Sequence, residues 1–252
     1  MAQTICIYTP KLKIARLFTA SIILDKANFI EELALPYPRE LRRELLNFAA
    51  NLTSWRKFQK YVVDLMGSYG YSWLDMETPL LFTLKLLHEK NHNINIVLYS
   101  SLVGENKKYR IVTELISLAL KARLTGKIDL REWDSLIEKM RKARRVNLDP
   151  ILKRAKQAIV VLEEKTLPLP NAILIEALPG YVESPLEKIV SASAEKLKDA
   201  IRDYVDYVLD YLVKYSSVDY AYFKWIKDKK FKGLIADLSD HYLYILSTLE
   251  EH

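Results

Sequence analysis

Glycine is scarce in this chain: six in 252 residues, at positions 67, 70, 104, 126, 180 and 233. Loops that cradle phosphates, present a nucleophile or wrap a dinucleotide need glycine where the backbone turns sharply or approaches its ligand. None of these glycines falls in GxGxxG, GxxxxGK or GxSxG, so the usual footholds of nucleotide-dependent and acyl-transfer chemistry are missing. Cysteine is scarcer still. Cys6 stands alone, which excludes an intrachain disulfide and any four-thiolate zinc or iron–sulfur site. His241 and His252 have no motif around them, so no Ser-His-Asp or Cys-His arrangement can be drawn. No apolar run reaches the ~18–20 residues that span a bilayer, and residues 1–9 do not form a signal peptide. These absences predict a cytoplasmic protein with no membrane contact and no cofactor.

What the chain has in excess is positive charge. Lys and Arg outnumber Asp and Glu by 38 to 32, a formal net charge of +6, with a pI near 9.1. A basic balance of this kind predicts an acidic partner, and nucleic acid is the common one, because its phosphates reward clustered cations by releasing counterions. A merely soluble basic protein is the plainer alternative. Half of the residues are hydrophobic, enough for a large core. Many Lys, Arg and Glu beside few Gln also hint at a thermophilic source.

Along the chain, the pattern predicts a mainly α protein: a multi-helix domain with a short N-terminal β-hairpin and a small extended segment at 171–183. Thr4 to Tyr8, then Lys11 to Leu24 with Leu12 and Ile14 alternating against Lys11 and Lys13, reads as the hairpin. Pro36 and Pro38 read as its end. Leu41, Leu45, Leu46, Phe48 and Ala49 then recur at helical spacing, with Arg39, Arg42 and Arg43 between them. Further helices are expected from Trp55 to Met66 behind a Thr53-Ser54 cap, from Thr78-Pro79 to Glu89, and from Tyr109 to Leu124. Two more follow, Leu130 to Arg145 behind Asp129 and Ile151 to Lys165. Pro168, Pro170, Pro179 and Pro185 mark the best boundary. The expected parts are therefore residues 1–35, a helical domain at 36–167, and a C-terminal helical part at 168–252 that could be continuous with it.

Four patterns could carry function. His88-Glu89-Lys90-Asn91-His92 fits HExxH, in which two histidines one helical turn apart face a zinc ion and the glutamate activates its water. Its polar Lys90-Asn91 and the lack of a third-ligand motif, with only Glu105 and Glu114 on offer, make this zinc metallopeptidase the alternative reading. Asp199, Asp203, Asp206 and Asp210 share one helix face, a stripe that Lys196, Lys198, Arg202 and Lys214 would pair rather than leave for a cation. Tyr204, Tyr207, Tyr211 and Tyr215 run parallel to it and read as helix packing. The strongest pointer to nucleic acid is basic. Lys139, Arg141, Lys142, Arg144 and Arg145 crowd one helix end, and Tyr222, Trp225, Lys229 and Lys230 belong to a stretch that interleaves aromatics with lysines. Stacking faces beside phosphate-binding cations are what single-stranded nucleic acid requires.

Three stretches resemble the N-terminal, non-catalytic domain of the archaeal and eukaryotic DNA primase large subunit. They are Pro36-Tyr37-Pro38 before a helix, Glu77-Thr78-Pro79-Leu80-Leu81-Phe82, and Gly180-Tyr181-Val182 followed by Leu186 and Ile189-Val190. The chain lacks the cysteines of that family's iron–sulfur domain. Pro79 to Ile96 together with Glu114 to Leu124 is also similar to the first helices of kleisin proteins, which gives a third reading, a structural interaction protein. The primase resemblance implies a scaffold that grips a catalytic subunit and steers single-stranded DNA or an RNA/DNA primer, performing no chemistry itself. Arg141, Lys142, Arg144, Arg145, Lys229 and Lys230 would meet phosphates, and Tyr222 and Trp225 would stack on bases.

Overall fold

The strand Thr4–Tyr8 (β1) has no hairpin partner. In a computed structural model that describes residues 4–90, 94–145, 148, 157–164, 172–215 and 217–250, it lies inside a five-stranded sheet. Its neighbours are Ala158–Leu162 (β4) and Ala172–Glu176 (β5), both parallel to it. Glu32–Pro38 (β2) pairs in parallel with β4 and with Asn95–Ser100 (β3), giving the order β3-β2-β4-β1-β5. The fold is therefore α/β, which corrects the expected mainly α protein with an N-terminal hairpin.

Each misread segment has a physical reason. Lys11 to Leu24 alternates for only four residues, and Ile14, Ala15, Thr19, Ala20 and Ile23 then recur at helical spacing as the buried stripe of α1 (Lys13–Lys26). Pro36 and Pro38 sit where the ladder of β2 with β3 slips, between Leu35 and Pro38, a place where missing N–H donors are tolerated. All five residues of β4, Ala-Ile-Val-Val-Leu, are buried. A strand buried on both faces shows an unbroken apolar run with no period to read, so this one resembles the end of the helix expected from Ile151. The earlier part of that helix, residues 151–156, lies outside the described ones.

The chain divides into two compact units: Met1–Asn106 with Val146–Leu178, and Lys107–Arg145 with Pro179–His252. In the first, α1, Arg42–Ala49 (α2), Trp55–Met66 (α3) and Tyr69–Glu89 (α4) supply one core with one side of the sheet. Ile7, Leu33, Leu35, Leu98, Ile159 and Val161 point into it, while Cys6, Ala34, Tyr99, Val160 and Leu162 point to the other side. Pro79, expected to open a helix, lies inside α4. Gly70 allows α3 and α4 to touch: a Cβ there would meet Val63 Cα at 3.0 Å and the Val62 carbonyl oxygen at 3.1 Å. Backbone cannot move aside as a side chain can, so Gly70→Ala should lower stability by about 1–3 kcal/mol, read from urea unfolding.

The second unit holds most of Leu102–Thr125 (α5), whose first residues belong to the sheet unit, together with Leu130–Arg144 (α6), Pro185–Ser191 (α7) and Leu197–Tyr207 (α8). Val218–Asp228 (α9), Leu234–Asp237 (α10) and Ser239–Glu250 (α11) complete it. Leu115, Ala119, Trp133, Ile137, Ile201 and Tyr204 meet in its core. Ser184 and Glu187 form a capping box that starts α7. Among the described residues, no helix is long and apolar enough to cross a membrane.

Candidate functional site

Parallel strands end on one edge of a sheet, and in open α/β sheets that carboxyl edge is where ligands usually bind. Here it is filled by a buried polar network. Arg16, fully buried on α1, reaches the Glu77 carboxylate through Nε at 2.8 Å and Nη2 at 2.8 Å. Nη1 donates to the Thr9 carbonyl at 3.1 Å and to the Thr9 hydroxyl at 3.0 Å, and Nη2 also reaches Glu163 at 2.8 Å. A guanidinium has five N–H donors, and those bonds occupy them all. Tyr37, at the end of β2, donates to the second Glu77 oxygen at 2.8 Å. Burial alone would depress the Arg16 guanidinium, but the Glu77 and Glu163 carboxylates outweigh it and keep the cation charged. Burial pushes the Glu77 carboxyl up, with Arg16 opposing.

Nearer the solvent, Lys11 lies 3.0 Å from Glu163 and 3.8 Å from Glu105, and Ser100 donates to Glu105 at 2.6 Å. The network thus ties the segment after β1, α1, the ends of β2 and β3, α4 and the end of β4 into one piece. Its central cation has no donor left for a ligand, so it acts as a fastening. The sequence held one hint of it, polar residues directly after apolar runs: Thr9 after Ile5-Cys6-Ile7-Tyr8, and Glu163 after Ile159-Val160-Val161-Leu162.

The basic and aromatic residues singled out in the sequence are divided by the fold. Lys139, Lys142 and Arg145 are exposed at the end of α6, and Arg144 is half-buried. Arg141 serves the fold: Nε donates to the Val190 carbonyl at 2.7 Å and Nη2 to the Ala192 carbonyl at 2.9 Å, satisfying the end of α7, while Nη1 bonds Glu138. Tyr222 is fully buried, and its hydroxyl donates to the Val182 carbonyl at 2.7 Å and accepts from the Val182 amide at 3.2 Å. Trp225 is buried against Tyr207 and Phe231, with ring centroids 5.6 and 4.8 Å away. Neither ring offers a face to a base. Lys229 and Lys230 are exposed, Lys229 lying 4.0 Å from Asp206.

The HExxH stretch falls at the exposed end of α4. The helix ends at Glu89, His88 is exposed, Glu89 accepts from Asn51 at 3.1 Å, and His92 lies outside the described residues. Glu105 is taken up by Ser100, and Glu114 accepts from Arg110 at 3.0 Å. Among the described residues, no group of three or more His, Cys, Asp or Glu side chains is placed to hold a metal. Three aspartates of the stripe are paired with cations, Asp199 with Arg202 at 3.2 Å, Asp206 with Arg123 at 3.6 Å, and Asp210 with Arg123 at 2.8 Å and Lys214 at 3.3 Å, while Asp203 makes no ion pair among the described residues.

A different surface stands out by its unpaired charge. Arg39, Arg42, Arg43, Arg56, Lys57 and Lys60 are all exposed along the α2–α3 hairpin. Only Arg43 has an ion pair, with Glu44 at 3.6 Å; the other five make none among the described residues. Tyr61 donates to the Glu40 carbonyl at 3.4 Å and fastens the start of α2 to α3. Residues 39–60 carry six cations against Glu40 and Glu44, a balance of +4 out of the chain's +6. Beside them, α3 and α4 enclose an open groove of about 530 Å³. No family model, curated protein or solved structure matches this chain.

Proposed function

We propose that the protein is a non-catalytic, nucleic-acid-associated subunit of a larger cytoplasmic assembly, working beside a catalytic partner. The observation that carries this reading is the α2–α3 hairpin, where most of the net charge is concentrated on exposed side chains, five of them without an ion pair among the described residues. Unpaired surface cations are the groups that phosphates neutralise with a release of counterions. The exposed Lys139, Lys142 and Arg145 on α6 add a lesser patch. The reading rests on this surface and not on the primase resemblance.

Anisotropy of a labelled oligonucleotide, titrated at several salt concentrations, tests it. The affinity should fall steeply with salt. Replacing Arg42 and Lys57 by alanine should reduce the log–log slope by about 0.7–0.9 for each phosphate that no longer meets a cation, and the sequence of the oligonucleotide should matter little. An affinity independent of salt, or a slope unchanged in the double variant, removes the assignment.

A further inference from the structure

Resting on that reading, we infer that the groove between α3 and α4 holds a single strand of nucleic acid, its bases against Tyr71 and Trp55 and its backbone along Arg56 and Lys60. The groove's volume, about 530 Å³, lies within the range of built ligand sites. Its walls are chemically mixed in the manner such a strand requires. Tyr71, near the start of α4, is 67% exposed and lines the groove, so its ring is accessible to a base. Trp55 is half-buried, backed by Phe48 at 5.4 Å and Phe82 at 5.2 Å, so its ring is held in place at the lip. Arg56 and Lys60 lie one helical turn apart on α3 and are exposed without ion pairs among the described residues.

The charge balance favours a phosphate strand. Of the two carboxylates lining the groove, Asp75 is neutralised by Lys13 at 2.7 Å. Asp64, on the turn after Lys60, pairs with no cation among the described residues and sets the side that the backbone avoids. The two lining cations therefore outnumber the one uncompensated carboxylate, and Lys57, next to Arg56 in the chain, is a further exposed cation on α3. A duplex keeps its bases stacked inside and has no use for the aromatic wall, whereas a single strand presents unstacked bases to it.

The test uses labelled oligo-dT and oligo-rU, and a duplex of equal length, with two readouts: anisotropy and intrinsic tryptophan fluorescence. Trp73, Trp133 and Trp225 are at most 3% exposed, so quenching by added strand reports on Trp55. Either single strand should bind about tenfold or more tightly than the duplex and should quench the fluorescence. Tyr71→Ala should weaken single-strand binding about tenfold, the scale of one lost stacking partner, while Tyr71→Phe keeps it. Because Tyr71 lies mostly outside the core, the circular dichroism of both variants should match that of the parent. Equal affinity for duplex and single strand, or a Tyr71→Ala variant that binds like the parent, overturns the groove. If Arg42→Ala/Arg43→Ala still weakens binding in that case, the charged-surface reading survives without it. No binding of any oligonucleotide by the parent chain removes both.

Discussion

Arg16→Met should lower the stability of the sheet unit by about 3–5 kcal/mol at neutral pH, the scale found when one partner of a buried ion pair is removed. Methionine fills much of the volume but leaves the Glu77 carboxylate buried, with Tyr37 as its remaining hydrogen-bond donor in the network. The Thr9 carbonyl and hydroxyl lose their guanidinium donor as well. Glu163 suffers less, because Lys11 stays 3.0 Å away. The pH dependence identifies the cause. In the parent chain, burial already pushes the Glu77 carboxyl up and Arg16 opposes it. Without the cation the folded-state pKa rises further above that of the unfolded chain. A carboxyl raised on folding contributes stability that is complete below its unfolded pKa, near 4.3, and is lost as pH rises through the folded value. The variant should therefore regain stability as pH falls from 7 towards 5, more steeply than the parent. Glu77→Gln, whose carbonyl oxygen can still accept from Arg16 while its amide N–H group donates to a Tyr37 hydroxyl turned to accept, should cost less than Arg16→Met, because Arg16 keeps the Glu163 carboxylate. Urea unfolding of the three proteins at pH 5 and 7 measures this, and a loss in Arg16→Met that ignores pH would mean that packing, not the stranded charge, is responsible.

Where local chemistry decided local structure, the sequence could be read. Trp55–Met66 has apolar residues at helical spacing, and the side chain of its cap Ser54 accepts from the Lys57 amide. Ser184, Pro185 and Glu187 announce α7 in the same way. The sheet escaped reading because its strands break the usual rules. β4 has no polar face to alternate with, β2 contains two prolines, and the stripe of α1 includes the fully buried Arg16 and Thr19, which look like surface residues until their partners are known. Those of Arg16, Glu77 and Glu163, lie 61 and 147 residues away in the chain.

The candidate interface was obscured differently. In the 220–232 stretch, Tyr222, Phe223 and Ile226 fill a core while exposed Lys227, Lys229 and Lys230 face the solvent, so interleaved composition arose from an ordinary amphipathic helix. The same interleaving on α2 and α3 passed as helical spacing. What separates the two is whether an aromatic ring stays accessible beside unpaired cations, and burial settles that where composition cannot.

Above pH 10 the protein should lose stability abruptly, because tyrosines in both units lie where burial disfavours a phenolate. In the sheet unit, burial holds Tyr37 and Tyr99 well above the usual phenol value, and Tyr69 is pushed up to about 12 against the pull of Lys11. In the helical unit, burial raises Tyr204, Tyr207 and Tyr222 in the same direction. A group raised on folding contributes stability that is intact below its unfolded pKa, about 10 for tyrosine, and that disappears as pH climbs towards the folded value. Each such group steepens the fall by on the order of 1 kcal/mol per pH unit. Three in one unit, together about 4 kcal/mol per pH unit, would therefore exhaust a typical domain stability of about 5–15 kcal/mol within roughly one to four pH units if they acted alone. The measurement is phenolate absorbance recorded with far-UV circular dichroism along an alkaline titration. The buried set should ionise in steep steps that coincide with loss of helix. A smooth titration of all 16 tyrosines near pH 10, with the helix signal unchanged, would show that these rings are open to water and that neither core is packed as described.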